Sequence, residues 1–179
     1  GRARGGAKPP RLVPHGRLAA RPRAPVIRID RREVAADVAR VFATAAAVER
    51  WPEWLPHYRW VRFHARRDDG GVVEMAAWRP FGPFNYPTWW VSDMTLERDV
   101  PRIRFRHVRG ITRGMDVAWD FEARERGALV TITHAWDGPP WPLIRRAAAE
   151  LVIGPVFVHA IAQRTLAGIA RVAEAAEAA

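Results

Sequence analysis

Cysteine is missing from this sequence of 179 residues, and serine occurs only once, as Ser92. Without cysteine, the chain has no disulfide scaffold, no thiolate-bound zinc or iron–sulfur site and no thiol nucleophile. The absence is typical of proteins in a reducing compartment, so we expect a cytoplasmic location. Ser92 lacks the flanking glycines of a nucleophile elbow, which argues against a serine hydrolase.

Sequence patterns for metals, nucleotides and membranes are missing as well. The six histidines show neither HExxH nor HxH spacing, and there is no Walker loop and no GxGxxG. The longest apolar stretch, at 151–158, is far shorter than the ~20 residues that a membrane-spanning helix needs. We therefore expect no metal, no cofactor and no transmembrane segment.

Residues 1–24 differ in composition from the rest of the chain. They hold seven basic residues, no acidic residue and no apolar period. We predict a disordered basic leader at 1–24 ahead of a single domain at 25–177. The leader carries most of the net charge of +10, so the domain is nearly balanced and no nucleic-acid partner is expected. A leader that contacts RNA, acidic lipid or an acidic protein is a further hypothesis.

Apolar periodicity from residue 25 onward predicts an α+β domain. A strand at 26–30 precedes a helix at 34–47, and prolines then bound a short second helix or turn at 51–56. Six strand-like runs follow, at 57–66, 72–79, 87–98, 102–109, 115–124 and 128–137. From 141 to the end the pattern is helical, with Gly154 and Pro155 predicting a kink. An antiparallel sheet in this order needs the long helix to cover its concave face.

Alternation along each strand indicates which side chains face that helix. In 115–121 it is unambiguous, whereas in 57–66 two parities compete and a bulge could resolve them. Polar residues fall on the apolar face at five positions: Arg79, Ser92, His107, Arg109 and His134. Ligand pockets combine apolar walls with a few polar groups, so we expect a cavity here. The alternatives are solvent at a strand end for the arginines and a hydrogen-bonded core position for the histidines.

Several segments of the chain resemble a known superfamily. They are ERWPEWLPHY at 49–58, Trp90-Val91-Ser92 in mid-sheet, His107-Val108 followed by Gly110, the strand from Met115 to Trp119, and the long C-terminal helix. On these residues, residues 25–175 resemble the START/SRPBCC (Bet v 1-like) superfamily, and within it the bacterial polyketide cyclases, including aromatase/cyclases. The resemblance implies a helix-grip fold. In that fold a curved seven-stranded antiparallel sheet wraps around a long C-terminal helix, with two short helices after the first strand.

The resemblance also implies a cavity that holds a poly-β-keto chain, free or tethered to an acyl carrier protein. Such a pocket folds the chain for one aldol ring closure and assists dehydration, through proximity and proton transfer. Met94 stands where the family has its catalytic arginine. The candidate catalytic residues are Tyr58, Arg79 and His107. The candidate ligand-binding residues are Trp51, Trp90, Ser92, Met94, Arg109, Trp119, His134, Val158 and Ile161.

Two other functions remain open at this point. The same fold can carry or sense a hydrophobic lipid, quinone or polyketide without catalysing a reaction. Alternatively, the chain is an interaction module that works through its basic leader. The cyclase requires that residues such as Tyr58, Arg79 and His107 support turnover, whereas a carrier requires only that they line the cavity.

Overall fold

The computed structural model describes residues 25–81, 84–138 and 159–178. Its strands are β1 (Val26–Val34), β2 (Tyr58–Arg67), β3 (Gly70–Phe81), β4 (Phe84–Glu97), β5 (Arg102–Gly110), β6 (Asp116–Arg124) and β7 (Gly127–Trp136). Its helices are α1 (Val38–Ala46), α2 (Trp51–Trp54) and α3 (His159–Glu177), and a 3-10 turn at Val48–Arg50 leads into α2. The predicted leader, the predicted kink at Gly154 and Pro155, and Val158 all lie outside the described residues.

The seven strands form one antiparallel sheet in the order β1-β7-β6-β5-β4-β3-β2. Strands β2 to β7 follow one another as hairpin neighbours, and only β1 reaches its partner β7 from a distant part of the chain. Two short helices follow β1, and a helix at the C-terminal end packs on the sheet. The predicted α+β helix-grip fold is confirmed.

The two short helices begin at residues that favour a helix start. The Asp37 side chain accepts a hydrogen bond from the amide of Ala39 at 2.8 Å and so starts α1. Pro52 lies in the first turn of α2, where its missing N–H costs nothing. Helix α1 begins later than predicted because the preceding residues, through Val34, extend β1.

Helix α3 closes the concave face of the sheet. Its buried side is made of Ile161, Thr165, Leu166 and Ile169 with small residues between them. Gly168 brings the helix against the loop after α2, since a Cβ atom placed there would lie 2.0 Å from Cδ2 of Leu55. Within the described part of the chain, no helix is long and apolar enough to cross a membrane.

Strand β2 contains a bulge that resolves its ambiguous alternation. Tyr58 pairs with Ala77 while Trp60 pairs with Ala76, which leaves Arg59 as an extra residue. The extra residue reverses the alternation beyond it. Tyr58 therefore shares the buried face with Val61 and Phe63. Strict alternation along the strand would place Tyr58 on the opposite face from these two residues.

Strand β1 turns a carboxylate inward. Asp30 is 2% exposed, whereas Ile27 on the opposite face is 53% exposed. Oδ1 of Asp30 accepts hydrogen bonds from Nδ1 of His159 at 2.5 Å and from Nε2 of Gln163 at 2.8 Å. The expectation that inward positions are apolar is wrong for this strand, because two polar side chains of α3 offer hydrogen-bond partners to Oδ1 of the buried carboxylate.

Candidate functional site

A small cavity lies between the concave face of the sheet and α3, and we call it the inner cavity. Its volume is about 60 Å³. Side chains from α2, β2 to β7 and α3 form its wall: Trp51, Tyr58, Met75, Trp90, Phe105, His107, Met115, Val117, Trp119, Ile132, His134, Ile161, Ala162 and Thr165. The wall is therefore mostly apolar, with a few polar groups among the aromatic rings.

Aromatic rings form a continuous cluster around this cavity. The centre of the Trp51 ring lies 5.0 Å from that of Tyr58, 5.6 Å from that of Trp119 and 6.4 Å from that of Phe105. Tyr58 continues the cluster to Trp90, with ring centres 6.3 Å apart. Edge and tilted contacts of this kind fix each ring, so the wall has a defined shape.

Four polar side chains of the described wall are Tyr58, His107, His134 and Thr165. The ring of His107 stacks on Trp90 with an interplanar angle of 17°. Its Nδ1 lies 2.7 Å from Oγ1 of Thr112, a buried residue of the β5–β6 turn. The stacking and the hydrogen bond together hold the imidazole in one orientation.

Trp51 brings an unpaired donor to the wall. The residue is 2% exposed, and its indole Nε1 is buried without a hydrogen-bond partner among the described residues. A buried donor without a partner costs roughly 1–3 kcal/mol, so native structures rarely keep one without a reason. An acceptor oxygen of a bound molecule would satisfy this N–H.

The structure brings together most of the residues that the sequence proposed for the site. The wall of the inner cavity contains Trp51, Tyr58, Trp90, His107, Trp119, His134 and Ile161. Their roles toward a ligand stay predictions. Arg79 lies in β3 opposite Tyr86, and its side chain is outside the described residues. Val158 precedes the described part of α3.

Ser92 and Met94 are buried in the sheet and are not among the residues of that wall. Ser92 pairs with His107 across β4 and β5, and its Oγ has no partner among the described residues. Met94 is 1% exposed and packs in the core beside Phe105 on the neighbouring strand. Met94 therefore contributes apolar packing to the core.

The prediction that Arg109 faces the cavity is wrong. The register of β4 with β5 shifts between Val91 and Ser92, which leaves Val108 as an extra residue in β5. The bulge reverses the alternation beyond it, so Arg109 pairs with Val91 on the outer face of the sheet. There its guanidinium lies 6.0 Å from the centre of the exposed Trp89 ring.

The proposed residue set omitted several members of the wall. Strand alternation already placed Met75, Phe105 and Met115 inward, and this signal could have added them to the site. Thr112 carries no such signal, because a turn residue becomes a partner of His107 only through the fold. Among the described residues, no cluster of three or more His, Cys, Asp or Glu side chains could hold a metal ion.

Residues 34–159 match the family described as polyketide cyclase / dehydrase and lipid transport. This chain belongs to that family. The match spans every strand from β2 to β7 and the aromatic residues of α2. No curated protein matches the chain by sequence.

Several solved structures share the fold of this chain at low sequence identity. The Zhui aromatase/cyclase from Streptomyces sp. R1128 has a TM-score of 0.64 and 17% identity, covering 83% of this chain and 94% of its own. A START superfamily protein from Mycobacterium smegmatis has a TM-score of 0.58 and 16% identity, covering 84% and 96%. The ginseng major latex-like protein 151 from Panax ginseng has a TM-score of 0.61 and 12% identity, covering 85% and 97%.

Proposed function

We propose that this polyketide cyclase / dehydrase family member binds a hydrophobic, carbonyl-bearing small molecule in the inner cavity and promotes its aldol cyclisation and dehydration. The observation that carries the proposal is the buried, unpaired indole N–H of Trp51 in a wall of aromatic rings. Aromatic rings bind flat unsaturated molecules, and the N–H gives such a molecule one fixed point for a carbonyl oxygen. A poly-β-keto intermediate offers carbonyl oxygens to this N–H, and its cyclised, dehydrated product is flat and unsaturated.

The chemistry needs two proton-transfer groups near the reacting carbons. One group removes a proton from a methylene between two carbonyls, and the enolate carbon then bonds to a second carbonyl carbon. The oxygen of that carbonyl takes a proton to become a hydroxyl, which leaves as water when a further proton is removed from the adjacent carbon. Among the described wall residues, Tyr58, His107 and His134 have side chains that can exchange protons, and we assign these steps to Tyr58 and His107.

The rest of the rate enhancement comes from holding the chain in a folded conformation. A flexible poly-β-keto chain has many competing ring closures, and a rigid wall that admits one conformer selects a single closure. The ring contacts of Trp51 and the fixed imidazole of His107 supply such rigidity. Because the inner cavity holds only about 60 Å³, the wall must widen to admit the substrate.

A carrier or sensor of a lipid, quinone or polyketide is the second candidate, and Met94 favours it. In this chain the family's arginine position holds a core methionine that is 1% exposed. No arginine is present among the described residues of the wall, so an enolate would have no guanidinium partner there. Binding alone needs none.

Mass spectrometry of the protein purified from its own host is the first test of the two candidates. The bound molecule is extracted and identified. A phospholipid, fatty acid or quinone supports the carrier, whereas a polyketide or its cyclised product becomes the molecule whose turnover decides between cyclase and carrier. An acyl carrier protein as partner is tested by offering the identified polyketide on that carrier and as the free acid.

Turnover of the identified molecule is then compared in two tyrosine variants. The chain has two tyrosines, Tyr58 in the wall and Tyr86 exposed on β4. For the cyclase we expect Tyr58→Phe to lower kcat about a hundredfold, as loss of a general acid or base does, and Tyr86→Phe to change nothing. Equal turnover in both variants would exclude Tyr58 from the chemistry.

A further inference from the structure

A second, larger space lies on the other side of the loop that follows α2, and we call it the outer groove. Its volume is about 580 Å³, roughly that of a ligand pocket, whereas the inner cavity holds about 60 Å³. Its floor is apolar and includes Trp54, Leu55 and Trp78. A ligand of ordinary size therefore finds more room in the outer groove than in the inner cavity.

The charged residues of the outer groove are all cationic. Arg164 and Arg171 of α3 line it, and no aspartate or glutamate is among its described lining residues. Nη2 of Arg171 donates to the carbonyl oxygen of Trp54 at 2.8 Å, which anchors that side chain. Arg164 is exposed and has no ion pair within the described part of the chain.

The nearby charges do not neutralise this groove. The guanidinium of Arg59 stacks on the Trp78 ring at 4.6 Å from its centre and adds a further cation beside the floor. The acidic residue closest along the chain is Glu53, and its Oε2 already accepts a hydrogen bond from Nε of Arg50 at 3.1 Å. A cationic groove with an apolar floor suits a molecule that has an acidic head and an apolar tail.

A hydrogen bond links a residue of the outer groove to a residue of the inner cavity. His57 lines the groove, Thr165 lines the cavity, and Nε2 of His57 lies 3.0 Å from Oγ1 of Thr165. The next residue, Tyr58, already belongs to the wall of the inner cavity. The two spaces therefore come close together at the His57–Thr165 pair.

We propose that the outer groove binds the acidic head group of the ligand through Arg164 and Arg171, while its apolar part reaches the inner cavity past the His57–Thr165 hydrogen bond. The inference rests on the proposed function, because the apolar part is the molecule that the inner cavity receives. A carboxylate and a phosphate ester both fit two guanidinium groups. The head group is therefore one of these two acids.

Three ten-carbon probes that differ in their head group are used: decanoate, decyl phosphate and the neutral 1-decanol. Their affinities are measured by isothermal titration of the full chain and of two variants with the same charge change. Arg164→Gln removes the free groove arginine, and Arg126→Gln removes an exposed arginine of the β6–β7 turn. We expect at least one acid to bind about tenfold more tightly than 1-decanol. Arg164→Gln should abolish that advantage, and Arg126→Gln should leave it unchanged.

The pattern among the probes identifies the head group or overturns the proposal. An advantage confined to decanoate assigns a carboxylate, and one confined to decyl phosphate assigns a phosphate ester. Acids that bind no better than 1-decanol, equal losses in both variants, or no binding of any probe would each reject an acidic head in this groove. The proposed function is judged separately, since a neutral bound polyketide would uphold it while this inference fails.

Stopped-flow mixing with the same three probes tests the route past His57. Thr165→Val keeps the shape of the side chain and removes the hydroxyl that holds Nε2 of His57. We expect the probes to associate and dissociate several-fold faster in this variant with little change in affinity. Unchanged rates would show that the ligand does not pass between these two residues.

Discussion

Two buried tryptophans differ in what their indole N–H groups meet. Nε1 of Trp51 has no partner among the described residues, whereas Nε1 of Trp136 donates to the carbonyl oxygen of Arg113 at 3.1 Å. A change to phenylalanine removes the same atoms from each, but only Trp136→Phe breaks a hydrogen bond. We expect Trp136→Phe to lower the free energy of unfolding by about 1 kcal/mol more than Trp51→Phe, measured by urea denaturation without ligand.

We expect ligand affinity to rank these two variants in the opposite order from stability. If its oxygen accepts from Nε1 of Trp51, Trp51→Phe weakens binding about tenfold and Trp136→Phe leaves it unchanged. The comparison uses the molecule extracted from the native protein. A Trp51→Phe variant that binds this molecule as well as the wild type would contradict the donor role on which the proposed function depends.

His107 shows how far single residues can be predicted. Alternation along β5 placed its side chain inward, because the pleat of a strand dictates which face each residue joins. The same rule failed two residues later at Arg109, since the bulge at Val108 depends on how β4 and β5 pair. Its partner Thr112 lies in a turn, where no periodicity indicates a side-chain direction.

At the scale of elements, the contact between α3 and the loop after α2 depends on Gly168. Alanine favours a helix over glycine by about 1 kcal/mol, so Gly168→Ala would stabilise an exposed helix. Here the added Cβ would lie 2.0 Å from Cδ2 of Leu55, so the buried Leu55 side chain must leave its position or the helix must shift. We expect Gly168→Ala to destabilise the fold by about 1–3 kcal/mol in urea denaturation.

A double-mutant cycle assigns that cost to the contact. Leu55→Ala removes the atoms that the new methyl group would meet, so Gly168→Ala should cost less in the Leu55→Ala background than alone. Additive costs, or a Gly168→Ala protein more stable than the wild type, would mean that α3 and this loop do not touch as closely as Gly168 and Leu55 indicate.

The outer faces of β2 and β3 are joined by a carboxylate whose charge stabilises the sheet. The indole N–H of Trp60 donates to Oε1 of Glu74 at 2.9 Å, and this bond, with a lesser contribution from His64, lowers the pKa of Glu74 below its ordinary 4.5. The charged form is therefore favoured by folding. The stabilisation from this charge is fully present above pH 4.5 and disappears as the pH falls through the lowered pKa of Glu74.

Urea denaturation at a series of pH values tests this link. Glu74→Gln should be less stable than the wild type near neutral pH, and the difference should shrink in acid, where the wild-type carboxylate is protonated. Trp60→Phe removes the main cause of the lowered pKa and should show the same trend. A difference between Glu74→Gln and wild type that stays constant with pH would contradict the assigned cause.

At the scale of the whole molecule, periodic patterns in the sequence predicted the strands and helices. They did not predict contacts between residues that are far apart along the chain. Alternation and helical spacing yielded the seven-stranded α+β architecture and the inward positions of Trp90, His107 and Trp119, because both rest on local backbone geometry. Trp51 and Tyr58 were proposed from the family resemblance, since the alternation around Tyr58 was ambiguous. The His57–Thr165 and Asp30–His159 contacts join residues 108 and 129 positions apart. No local pattern encodes such pairs, so the boundary between the two spaces and the inward carboxylate of β1 emerge only in three dimensions.

The predicted boundary at residue 25 implies that the leader contributes charge and that the domain beyond it contributes the stability of the fold. Residues 1–24 hold seven basic residues and no apolar period, whereas periodic apolar residues begin at 25. Deleting 1–24 should therefore change the free energy of unfolding by no more than about 0.5 kcal/mol, yet markedly weaken retention on a cation exchanger. Unfolding in urea and elution in a salt gradient measure the two effects. A loss of several kcal/mol would mean that the leader packs on the domain, and the boundary would then be wrong.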